Sequence, residues 1–129
     1  MFGDKLLFIA KKIGVEKDDY GNENPYFKLP PEEYHFSYMP TASQVDYQIY
    51  GTQINNMFTS ILPMSFLGKI RTGDVAYMID GDIQNIEELV SIDKRNKDKY
   101  CTNANYRVKI AQPQNARMKI IFEKIKQEN

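Results

Sequence analysis

A single cysteine stands in this chain of 129 residues, with a single histidine and no tryptophan. One cysteine, Cys101, excludes an internal disulfide and agrees with a reducing compartment. One histidine, His35, gives any Ser-His-Asp or Cys-His arrangement only one candidate base. A zinc site would have to lean on Cys101 and carboxylates for its remaining ligands. Net charge is missing as well, because 17 basic residues balance 17 acidic ones. Broad binding to nucleic acid needs a basic excess, so the balance argues against that class. Neutrality gives little protection from self-association, which suits a protein that assembles. Long hydrophobic runs are absent too. A membrane-spanning helix needs about 20 apolar residues, and no segment approaches that. The run Leu6-Leu7-Phe8-Ile9-Ala10 is closed by Lys11-Lys12 and lacks the pattern of a signal peptide.

What is present is ordinary in amount and distinctive in pattern. Hydrophobic residues make up 42% and charged residues 26%. That fits one soluble domain, residues 1–129, whose core needs neither disulfide nor metal. The aromatics are 9 Tyr and 7 Phe, side chains that pack well on a pleated face.

Alternation recurs along the chain. Val75, Tyr77 and Ile79 oppose Ala76 and Met78, between the turn signals Thr72-Gly73-Asp74 and Asp80-Gly81-Asp82. That predicts a strand. Tyr34, Phe36 and Tyr38 oppose His35, Ser37 and Met39 in a second strand, closed by Pro40. Val45, Tyr47 and Ile49 alternate with Asp46 and Gln48 up to Gly51. This predicts a third strand, since these residues favour β over helix. Residues 5–13 fit strand or helix, and the turn signal Asp18-Asp19-Tyr20-Gly21-Asn22 tips them toward strand. Tyr106, Val108 and Ile110, then Met118, Ile120 and Phe122, flank a turn at Gln112-Pro113-Gln114-Asn115 and predict a β-hairpin. Ile54, Met57, Phe58, Ile61 and Leu62 would form one stripe of a short helix ending at Pro63. Ile83–Val90 reads as one or two helical turns or an irregular link, and 93–99 as a charged loop. The expected fold is mainly β: a small β-barrel with a terminal β-hairpin and one short helical or irregular insertion. Its expected interior joins Val75, Tyr77 and Ile79 to Val108, Ile110, Ile120 and Phe122.

Candidates for chemistry are few. His35 reads as a polar residue on a strand face, and no motif surrounds Cys101. Asp80-Gly81-Asp82 opens like a calcium loop, but the sixth and twelfth positions hold Asn85 and Ser91 instead of glycine and glutamate. Gly68-Lys69-Ile70-Arg71-Thr72-Gly73 does not follow P-loop order. Asp74, Asp80 and Asp82, with Glu87 and Glu88 nearby, leave one enzymatic alternative: a metal-dependent phosphodiesterase. Turns and a solvated face explain the same acids. Lys94, Arg95, Lys97 and Lys99 form a basic stretch that could touch phosphates. No catalytic set, cofactor or metal is expected. Met57, Phe58, Ile61, Leu62, Met64 and Phe66 are more large apolar side chains than a connector needs. They predict a contact surface for a neighbouring subunit or ring, mobile when the protein is alone.

Taken in order, the elements resemble one family. The N-terminal strand leads to Tyr20-Gly21-Asn22. There follow Tyr38-Met39-Pro40-Thr41-Ala42-Ser43, Asp46-Tyr47-Gln48-Ile49-Tyr50-Gly51, Gly68-Lys69-Ile70-Arg71-Thr72-Gly73-Asp74-Val75-Ala76-Tyr77 and the terminal strand pair. Over about residues 5–123 this resembles the head-completion, or stopper, proteins that join head to tail in tailed bacteriophages. The resemblance implies a small β-barrel whose copies form a homo-oligomeric, usually dodecameric, ring in the virion neck. That ring would be assembled in the host cytoplasm, bind portal-adaptor and tail proteins, and help retain packaged DNA. DNA would be met only through the channel, where Lys94, Arg95, Lys97 and Lys99 are the candidates, and no membrane is involved. Another ring-forming tail component, such as a tail terminator, is the neighbouring alternative.

Overall fold

The computed structural model describes residues 4–41, 44–51, 56–80, 83–96 and 103–125. Its nine strands, counted among those residues, are β1 (Lys5–Ala10), β2 (Lys12–Lys17), β3 (Glu23–Phe27), β4 (Glu32–Phe36), β5 (Met39–Pro40), β6 (Met57–Pro63), β7 (Val75–Met78), β8 (Tyr106–Gln114) and β9 (Arg117–Lys124). Two helices, α1 (Gln44–Tyr50) and α2 (Ile86–Asn96), and a 3-10 turn at Met64–Phe66 complete them. The protein is mainly β, as its alternating patterns predict.

Seven strands form one antiparallel sheet in the order β4-β1-β7-β8-β9-β6-β5. The two edges of this sheet, β4 and β5, belong to one extended segment, 32–40, interrupted only at Ser37 and Tyr38. The sheet therefore rolls until its edges meet along a single stretch of chain. Ser60 of β6 clasps the junction, its hydroxyl donating to the Ser37 carbonyl at 2.9 Å. Tyr38, fully buried, donates its hydroxyl to the Ile79 carbonyl at 2.7 Å. Burial pushes that phenol up to about 12.

The rolled sheet encloses one cluster and carries a second on its outside. Leu7, Phe36, Met78, Val108, Ile120 and Phe122 are among the side chains of the inner cluster. Phe36 and Phe122 stack across it with ring centroids 6.4 Å apart. The outer cluster lies under α2, where Phe8, Val75 and Tyr77 meet Ile86 and Val90. Both faces of β7 are thus buried, which corrects the expected interior. Ala76 and Met78, not Val75, Tyr77 and Ile79, face Val108, Ile120 and Phe122. A strand covered on both sides reads as an unbroken apolar run, as Val75-Ala76-Tyr77-Met78 does, and alternation cannot then say which face is which. Ile110 follows a register shift between Val108 and Ile110 and belongs to neither cluster.

Three further expectations are corrected. Residues 44–50 are helical, not a strand. Ile49, expected inside, is 65% exposed. The helix is held over the outside of the sheet by Asp46, which receives the Lys119 ammonium of β9 at 2.9 and 3.1 Å. Residues 57–63 are a strand paired with β9 from Met57↔Glu123 to Pro63↔Arg117, not a helical stripe. Ile54 lies outside the described residues. Residues 93–96 continue α2 rather than opening a loop, because Asp93 is buried and accepts from the Tyr77 hydroxyl at 2.6 Å.

The terminal hairpin forms as expected, with its turn two residues later. Asn115 and Ala116 both have positive φ, 52° and 61°, as a two-residue type I′ turn requires. Glycine is the residue that suits the second position, and alanine is strained there. Ala116→Gly is therefore expected to stabilise the protein by about 0.5–1 kcal/mol. Thermal unfolding should rise by about 3 °C, and an unchanged or lower midpoint would contradict the turn geometry.

On the outer face of this hairpin Glu123 receives Lys109 at 2.9 Å and also Arg107. Burial acts to raise the Glu123 carboxyl, but hydrogen bonds from the two cations outweigh it and hold it below its ordinary value of 4.5. A depressed carboxyl gives stability that is present above that value and is lost as pH falls through the folded one. Glu123→Gln should cost about 1 kcal/mol near neutral pH, a small figure because Arg107 is largely exposed. The difference in melting temperature from the native chain should shrink in acid. A difference that grows on acidification would refute the pairing.

Candidate functional site

Two of the acids offered for metal chemistry, Asp74 and Asp80, bond backbone amides. Asp74 is buried; one carboxylate oxygen accepts the Lys12 amide and the other the Arg71 amide, both at 2.9 Å. Burial raises its carboxyl above the usual range, against the pull of those two amides. Asp80 accepts the Ile83 amide at 2.8 Å and the Tyr106 hydroxyl at 3.1 Å, with Lys124 at 3.4 Å. The two aspartates flank β7 at opposite ends, six residues or about 20 Å apart along an extended chain. They cannot share an ion. Asp82 lies outside the described residues, and no group of three potential ligands occurs among those described. The phosphodiesterase alternative loses the clustering that motivated it.

Other candidates are placed as follows. His35 is exposed, with its ring nitrogen 3.8 Å from Glu33. Lys94 and Arg95 fall in α2, but their side chains lie outside what is described, as do Lys97, Lys99 and Cys101 entirely. Among the described residues no helix is long and apolar enough to cross a membrane.

The apolar set from Met57 to Phe66 divides. Met57 and Leu62 are only 2% and 4% exposed and belong to the core, so they are not contact residues. Phe58 packs between Tyr38 and Tyr106, at 5.1 and 5.4 Å between ring centroids. Phe66 caps the inner cluster against Phe36 and Tyr34. Ile61, 52% exposed, and Met64 remain on the surface. Alternation along a strand explains the split: a helix would have put Ile61 and Leu62 on one stripe, whereas β6 sends them to opposite faces.

Ile61 opens onto a groove of about 480 Å³ at the outer edge of the sheet. Met39, Thr59, Arg117 and Lys119 line it with Ile61. Lys119 is neutralised by Asp46, while Arg117 has no ion pair among the described residues. The groove thus has apolar walls and one uncompensated cation. Sequence reading missed it, because its residues come from β5, β6, β8, β9 and α1 and no local spacing joins them.

A second surface projects from β1. Strands β2 and β3 form their own two-stranded sheet. Gly14 makes room there for the Tyr26 ring, which a side chain at that position would strike. Ile13 and Val15 are exposed on this arm, and Tyr20 at its tip is 91% exposed. An isolated hairpin is marginal in water, and exposed apolar groups on one suit a surface that meets a partner. No family model, curated protein or solved structure matches the chain.

Proposed function

We propose that this chain is a structural subunit of a tailed-bacteriophage neck, of the head-completion or stopper type. Its copies form a ring that joins the portal and its adaptor to the tail and helps retain packaged DNA. Its work is adhesive and mechanical. One observation carries this reading: apolar side chains are exposed at two separate outer features, the β2–β3 arm and the β5–β6 edge. Asp74 and Asp80, two of the acids offered for a reactive site, meanwhile bond backbone amides that hold the fold. A ring subunit needs two such surfaces, one for each neighbour. The order of elements adds the family resemblance.

Mixing the chain with portal and adaptor proteins, and weighing the products by light scattering, tests the proposal. A complex carrying many copies of the chain is expected. A chain that binds neither protein overturns it.

A further inference from the structure

The arm's tip and the groove carry opposite charges. At the arm's tip, the Asp18 carboxylate accepts the amides of Tyr20 and Asn22, each at 2.9 Å. Asp18 also donates its own amide to the Asn22 carbonyl, and its carbonyl accepts the Gly21 amide, both at 3.0 Å. Gly21 closes the turn at φ 81°. These bonds hold the loop in one shape and leave the Tyr20 ring standing in solvent. Residues 18–23 carry three carboxylates, Asp18, Asp19 and Glu23, and no cation.

The groove offers what such a tip lacks. Met39 and Ile61 provide apolar walls, and Arg117 provides a cation without an ion pair among the described residues. Its volume of about 480 Å³ can admit an aromatic side chain with its flanking residues. Methionine adapts well to an aromatic ring. Arginine bonds a carboxylate through two parallel N–H groups. A tyrosine on a preorganised loop loses little freedom when it is buried, which is what an interface anchor requires.

The tip does not line its own groove. The arm springs from β1, and the groove is floored by β9, with β7 and β8 between them in the sheet. We infer that the groove of one subunit receives the Asp19–Tyr20 tip of a second copy of this chain, with Tyr20 between Met39 and Ile61 and Asp19 on Arg117. This contact is head-to-tail, since tip and groove are different surfaces, and repeated head-to-tail contacts form a ring when the rotation from one copy to the next closes. The inference rests on the ring-subunit reading and supplies its subunit-to-subunit joint.

Two variants test it, both at exposed positions so that the fold is preserved. Tyr20→Ser removes the anchor and keeps the groove. Arg117→Glu spoils the groove and keeps the tip. Sedimentation at up to about 1 mM should show oligomers for the native chain, and at least about tenfold weaker association for each variant alone. An equimolar mixture of the two should form a dimer and stop there, because only one competent tip and one competent groove remain per pair. Thermal melts matching the native chain confirm that both variants are folded. Variants that associate as the native chain does overturn the tip-in-groove joint and leave the neck reading standing. A native chain that stays monomeric also overturns the joint, while complex formation with portal and adaptor decides the neck reading separately.

Discussion

Phe122→Ala is expected to remove about 3–5 kcal/mol of stability, a large share of what a domain of this size possesses. Phe122 is 0% exposed and lies at the centre of the inner cluster, stacked on Phe36. Phe36 comes from β4 and Phe122 from β9, strands far apart in the sheet order. The truncation therefore empties the space that the rolled sheet is built around, and neither rigid wall can collapse into it. Melting followed by circular dichroism should fall by at least about 10 °C, or the variant should not fold. Ile61→Ala on β6 is the control. Its side chain opens onto the groove, and its loss should change stability by no more than about 0.5 kcal/mol. Equal effects at the two positions would contradict the assignment of inside and outside.

Asp46→Ala should cost about 2–4 kcal/mol, because it leaves the Lys119 ammonium without its partner in a site that is only 15% exposed. It also cuts the bond that holds α1 to the sheet. Replacing Lys119 by methionine in the same chain removes the orphaned charge and should recover part of the loss. Urea denaturation of the native, single and double variants measures this. A single variant as mild as a surface substitution would show that the pair is solvated and that α1 docks by other means.

Strand alternation was legible wherever one neighbour or none covered the outer face. Tyr34, Phe36 and Tyr38 point inward while His35 is exposed, as the period of two predicts. The terminal hairpin was legible for the same reason. Position 46 shows the limit. Val45, Tyr47 and Ile49 alternate like a strand, yet the segment is a helix tied to the sheet by a lysine 73 residues away. No local window contains that information. Asp74 was readable as a turn acid, but the amide of Lys12 that helps fix it is 62 residues distant. The segment 57–63 reads as a helical stripe because Met57, Phe58, Ile61 and Leu62 are spaced by three and four, and no local window contains the strand β9 whose pairing makes it extended. Of the candidate site, Ile61 and Met64 were legible as surplus apolar residues. The groove around Ile61 was not, since five separate elements assemble it.

A reconstruction of the neck in phage particles that carry this chain decides whether it is a neck subunit. The account predicts this rolled sheet repeated around the axis between head and tail, with each β2–β3 tip against the groove of the next copy. Particles in which the chain lies at another position would contradict it.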